Sequence, residues 1–232
     1  MLDANHAGPE TAWTTAAQAR FDQLNAQLAA RTRHLLDKIT ADQDTHARLL
    51  NTLSMLEHMG SHKIMATQHG AAIDQSTLRH VAEEAHHAYF MKRQAEKTAQ
   101  RDLHYKPDDL LAAPSARIYF QRLEVAIVNR IGASGPTTAV YLLMSMIIEF
   151  RALWFYRLYQ ETLTRAGLPI SLKRILGEEQ HHLSEMADRL MAIEAFDEDQ
   201  VSAFVAIENR LYQRMLSAIE RAAADSLGRR PH

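Results

Sequence analysis

Apolar side chains recur every three or four positions along nearly the whole chain, the spacing of one face of an α-helix. The polar positions between them are filled mainly by Gln, Glu and Arg, and Ala, Leu and Met are common throughout, all strong helix formers. No segment alternates at period two for long enough to make a strand. Proline and glycine punctuate the pattern, with prolines at 9, 107, 114, 136, 169 and 231 all at its breaks. The pattern predicts helices at about 11–38, 43–69, 75–101, 115–131, 137–166, 170–194 and 198–226. Pro114-Ser115, Pro136-Thr137 and Pro169-Ile170-Ser171 read as helix starts, and Gly167 as a stop. The irregular connections are DLHYKPDDLLAAP at 102–114 and GASGP at 132–136.

The seven segments contain a coarse repeat. Helices 43–69 and 75–101 form one antiparallel hairpin, helices 137–166 and 170–194 another, and 102–136 joins them as a long crossover. The expectation is an all-α fold, one domain over residues 1–232, with a four-helix core and flanking helices at 11–38, 115–131 and 198–226. A formal charge of −2 gives no overall field to recruit nucleic acid or an anionic membrane. There is no cysteine, which excludes disulfides, thiolate zinc sites and iron–sulfur clusters, and which suits a cytoplasmic setting. The N-terminal sequence lacks a basic region followed by an apolar run, so no secretory signal is expected. The most apolar stretch, AVYLLMSMIIEF at 139–150, is short for a bilayer and carries Glu149, so no membrane span is expected.

Candidate chemistry sits on the second helix of each hairpin. EEAHH at 83–87 returns as EEQHH at 178–182, 95 residues later. Glu at i and His at i+3 lie on one helix face and can reach one metal ion. Each pentapeptide allows two registers, and the apolar face selects between them. Glu84 and His87 align with Val81, Ala88 and Met91; Glu179 and His182 align with Leu172, Ile175 and Met186. The other registers align with charged residues: Glu83 and His86 with Arg79, Glu178 and His181 with Arg174 and Glu185. The first helix of each hairpin adds one acid in an apolar stripe. Glu57 follows Leu53 and precedes Gly60 and Ile64; Glu149 lies in line with Leu142, Met146, Ala152 and Tyr156. Spacings of 27 residues from Glu57 to Glu84, and 30 from Glu149 to Glu179, fit hairpins that bring the acids to one level. Four carboxylates offset two divalent metal ions, with two neutral imidazoles completing the set. Coordination would remove much of the cost of burying those carboxylates.

Glu57, Glu84-x-x-His87, Glu149 and Glu179-x-x-His182 together resemble the ligand set of ferritin-like di-iron carboxylate proteins. In that family an acid preceding the ExxH glutamate often orients a histidine ligand, a role the resemblance gives to Glu83 and Glu178. YFQRL at 119–123 and LLMSMIIEFRALWFYRLY at 142–159 are similar to aldehyde-deformylating oxygenases of that superfamily. The resemblance implies a ferritin-like bundle, two iron ions and O2 as co-substrate. It also implies Tyr156 as an active-site hydrogen-bond donor and an apolar substrate such as a fatty aldehyde. Trp154 and Phe155 stand where that family carries small residues, which narrows or redirects its substrate channel.

Other residues have plainer readings. His58 and His62 lie off the Glu57 stripe and read as a solvated face. His80 aligns with Glu84 and His87; a lone helix histidine is more often structural, and the alternative is a third imidazole or a hydrogen-bond partner at the site. Gly60 and Gly177 suggest close helix packing or room for substrate or O2. Tyr141, Trp154, Phe155 and Tyr159 read as core and channel wall.

The leading functional reading is a di-iron oxygenase or oxidase. Its electrons would come from a separate ferredoxin or flavoprotein, because the chain has no cysteine for its own electron-transfer cluster. The alternatives are a ferroxidase for iron storage or detoxification and a non-catalytic helical interaction protein. Carboxylate–imidazole sites accept manganese or a mixed Mn/Fe pair as well as iron. The flanking helices would hinder cage assembly, so a monomer or homodimer is expected.

Overall fold

The computed structural model describes residues 12–68, 74–131, 137–194 and 198–228. Among the described residues the chain is all-helical, with seven α-helices and no strand. They are α1 (Ala12–Thr40), α2 (Gln43–Ala66), α3 (Gln75–Ala99), α4 (Ala113–Ile131), α5 (Thr137–Arg165), α6 (Lys173–Ala192) and α7 (Glu198–Gly228), plus one 3-10 turn at Pro107–Asp109. The breaks placed at GASGP and at Pro9, Pro136 and Pro231 lie outside the described residues.

Local chemistry explains the boundaries. Asp42 and Asp74 cap α2 and α3 by accepting from the backbone N–H of Thr45 and Thr77 at 2.9 and 2.7 Å. Gly167 closes α5 at φ 66°, with Leu168 N bonded to Leu163 O and Gly167 N to Thr164 O, so it is the expected stop. The start expected at Pro169-Ile170-Ser171 is displaced to Lys173. Ile170 and Leu172 are used as buried plugs in a non-helical connection, and Gln160 receives the Leu172 N–H at 2.6 Å. The irregular 102–114 stretch is pinned to α2: Asn51 donates to the carbonyls of His104 and Asp109, and Arg48 to that of Leu110, all at 2.9 Å.

Side-chain contacts fix the helix directions. Gln43 at the start of α2 meets Thr98 at the end of α3, so these two are antiparallel. Gln160 near the end of α5 meets Leu172 before α6, and Glu149 meets His182 near the middle, so these are antiparallel too. Along the α3–α6 seam Asp74 pairs with Arg189, Arg79 with Glu185, Glu83 with His182 and His87 with Glu178. That ladder is also antiparallel, so α3 and α5 run the same way. Two parallel helices need a long connection, and α4 with its preceding loop supplies it.

Helix α1 packs on α5 and α7, and α4 packs on α7 and α5. Buried Arg151 on α5 fastens this outer layer. Its Nε and Nη2 each reach Glu208 of α7 at 2.8 Å, Nη2 reaches Asn25 of α1 at 2.7 Å, and Tyr119 of α4 donates to the same Glu208 at 2.8 Å. The apolar run of α5 extends well beyond 139–150. Over Thr138–Arg165 the helix is long and apolar enough to cross a membrane by length and composition, but 61% of its most apolar window is buried inside the bundle.

Candidate metal centre

The four core helices deliver seven ionisable side chains to one point in the interior. Glu57 comes from α2, His80, Glu84 and His87 from α3, Glu149 from α5, and Glu179 and His182 from α6. Their potential ligand atoms form two overlapping sets, each within 4.8 Å: Glu57, Glu84, His87 and Glu179; and His80, Glu84, Glu149 and His182. Glu84 belongs to both. Glu179 also reaches across, with Oε2 at 3.0 Å from His182 Nδ1. The inward registers are those the apolar faces select: His86 and His181 are exposed, whereas His87 and His182 are buried. All six sequence-predicted ligands converge, and His80 joins them. His58 and His62 remain exposed on the outer face of α2.

The two inward histidines of the repeated motif are held crosswise. His87 on α3 bonds through Nε2 to Glu178 of α6 at 2.9 Å, and His182 on α6 bonds through Nε2 to Glu83 of α3 at 2.7 Å. Each acid therefore orients the imidazole of the opposite helix, leaving Nδ1 turned toward the central carboxylates. Such an outer carboxylate fixes the ring's tautomer and raises its basicity as a ligand. His87 Nδ1 is buried with no hydrogen-bond partner, an uncommon state for a buried polar atom. It lies 3.3 Å from Glu179 and 4.0 Å from Glu84, as a donor waiting for a cation would.

The electrostatics describe a site short of positive charge. Glu57 keeps some accessible surface where it borders a cavity. Its carboxyl group is nevertheless desolvated, and burial, then the charges of Glu84 and Glu179, push it well above the usual carboxylate range. For His182, His80 and His87 burial favours the neutral ring, but the surrounding carboxylates outweigh it and raise these groups to about 12, 11 and 10. For Glu149 burial acts upward, and hydrogen bonds from His182 and His80 overcome it and hold the group low. Without metal, the imidazoles take the part of cations. A divalent ion at each set would replace those protons and match the donor types present. The residues therefore fit two carboxylate- and imidazole-bound metal ions.

Two cavities border the cluster. The larger, about 110 Å³, runs between α1, α2, α4, α5 and α7, and its lining is almost wholly apolar apart from Glu57, Glu84 and Arg151. The smaller, about 80 Å³, is lined in part by Phe120 of α4 and by the Lys63–Glu124 ion pair. Tyr156 borders the larger cavity and donates its hydroxyl to Glu57. Phe155 and Ala152 line the same cavity, whereas Trp154 packs against Arg151 and meets Tyr212 edge-on. Gly60 borders both cavities, and a Cβ there would stand 3.3 Å from Glu84 Oε2. Gly177 behaves differently: a Cβ there meets nothing within 4 Å, so neither close packing nor a substrate channel accounts for it.

Some features escaped sequence reasoning. The resemblance gives Glu83 and Glu178 a histidine to orient but not the crossing between helices, which joins residues about a hundred positions apart, and the Arg151–Glu208 pair joins two helices by an ion pair that helical periodicity does not reveal. Tyr141 is buried, as its place in the apolar pattern implies, but it also bonds His80 Nδ1 at 3.0 Å. Fold and site together define an all-helical protein with a buried carboxylate–imidazole cluster suited to metal. No protein-family model matches the chain, and comparisons with curated proteins and with solved structures likewise give no match.

Proposed function

We propose that the chain is a ferritin-like dimetal-carboxylate protein that binds two iron ions and acts as an oxygenase or oxidase on a small or apolar organic substrate. The observation that carries this reading is the buried His87 Nδ1, unpartnered among carboxylates while its other nitrogen is clasped by Glu178. The up–down–down–up order of α2, α3, α5 and α6 with one long crossover supports the ferritin-like assignment. Bound iron would supply electrons for reducing O2 next to the substrate. The chain's own residues do the rest. Glu57, Glu84, His87, Glu149, Glu179 and His182 hold the metals, Glu83 and Glu178 orient the histidines, and Tyr156 fixes Glu57. The apolar cavity beside Glu57 excludes water and aligns an apolar chain, and a fatty aldehyde is the substrate that the α5 motif favours.

The absence of cysteine implies electrons from a separate ferredoxin or flavoprotein, and it suits a cytoplasmic protein with no membrane span. Manganese, or a mixed Mn/Fe pair, would satisfy the same donors. The apolar lining of the larger cavity favours an organic substrate over a ferroxidase used for iron storage. The test is anaerobic Fe(II) binding per chain, followed by O2 consumption with and without aldehydes. Two ions per chain and aldehyde-dependent consumption are expected. No binding would overturn the reading, and uptake of many ions per chain would replace it with storage.

A further inference from the structure

His80 is the one histidine of the cluster outside the repeated pentapeptides. It stands four residues before Glu84 and seven before His87, so all three share the inner face of α3. Its ring is 3% exposed. Nε2 lies 3.3 Å from Glu149 Oε1 and 3.4 Å from Glu84 Oε1, and the ring centre is 4.2 Å from that of His182. The other nitrogen, Nδ1, bonds the buried Tyr141 hydroxyl at 3.0 Å. This is the arrangement that a metal-ligating histidine shows: one nitrogen tethered by an outer partner and the other presented to carboxylates. The repeat has no counterpart on α6, where the residue four before Glu179 is the buried Ile175.

Resting on the dimetal reading above, we propose that His80 is a seventh ligand, completing a nitrogen-rich metal position with His182 and Glu149 and making the two positions unequal. The His80 position holds two imidazoles, Glu149 and its share of Glu84 and Glu179. The other holds one imidazole, Glu57 and the same two shared carboxylates. An octahedral ion needs about six donors, so the His80 position is the more nearly filled. Imidazole also favours the later first-row divalent metals over manganese, so the His80 position binds Co(II) more tightly. Tyr141 is a positioning residue, holding the ring so that Nε2 faces the metal.

The probe is Co(II), titrated anaerobically into the full chain against a competing chelator, with the ligand-field bands recorded at each equivalent. The wild-type chain should bind two ions, one at least about tenfold tighter than the other. His80→Ala should weaken the tighter ion by about 10–100-fold or more and change the bands of the first equivalent. His87→Ala should act on the second equivalent. Tyr141→Phe, which leaves the imidazole in place, should give a smaller loss at the tighter ion, and circular dichroism checks that each variant folds. An isotherm for folded His80→Ala that superimposes on wild type, or two equal affinities in wild type, would overturn this inference and leave the dimetal reading standing. A wild-type chain that binds no Co(II) and no Fe(II) would remove both.

Discussion

The two hairpins carry nearly the same pentapeptide, yet they build different surroundings for it. On the α2–α3 side Glu57 borders an apolar cavity and accepts a hydrogen bond from Tyr156. On the α5–α6 side Glu149 is 3% exposed and faces His80 and His182. The ligand types match, but Glu57 borders both cavities and keeps some accessible surface, whereas Glu149 borders the smaller one and is held by two imidazoles. A repeated motif therefore sets which atoms can bind a metal, while the neighbouring helices set what each half can do with it.

The most drastic way to break the comparison is to remove a shared carboxylate. Glu84→Ala and Glu179→Ala should each abolish binding of the metal pair, lowering affinity by more than about 100-fold, as chelator competition would read. If either variant keeps two ions at wild-type affinity, that glutamate is not a ligand. Removing an orienting acid should be milder. Glu178→Gln should weaken the ion held by His87, and Glu83→Gln the ion held by His182, each by about 10–100-fold. Equal effects on both ions from either change would contradict the crossed assignment.

Histidine environments sharpen the contrast further. His46 is buried like the site histidines but bonds only the Tyr159 hydroxyl, at 2.6 Å, and burial lowers it to about 4. Between about pH 6.5 and pH 4 the unfolded chain takes up a proton that folded His46 refuses. Stability should therefore fall as pH drops through that window, by up to about 3 kcal/mol, and thermal melts of His46→Gln should lose that share of the slope. The two glycines give the smallest effects. Gly177→Ala should stabilise the fold by up to about 1 kcal/mol, because a helix interior favours alanine and the site is open. Gly60→Ala gains the same propensity but crowds Glu84 at 3.3 Å, so metal affinity should drop severalfold. Unchanged affinity there would mean that Glu84 yields without cost.

Much of this centre was legible because helical periodicity is a local signal. The apolar stripes beside Glu57, Glu84, Glu149 and Glu179 chose the inward register, and the same reasoning put His58 and His62 on the outside. The start of α6 differs from the expected one because Pro169 looks like a helix opener, while the burial of Ile170 and Leu172 decides the chain path there. The Arg151–Glu208 pair and the crossed acids were hidden for another reason. They depend on which helices lie side by side and at what height, and no spacing within one helix carries that.

The crossed pairs also make the centre a gauge of alignment. Each needs one residue from α3 and one from α6, and the two helices run in opposite directions. Sliding one helix along the other by a single residue, about 1.5 Å, shifts both pairs at once. A half-assembled bundle would then offer stray carboxylates but not the full set of aimed nitrogens. Tight metal capture would become a late event, reserved for chains whose helices have already found their final heights, and metal would be kept out of unfinished protein.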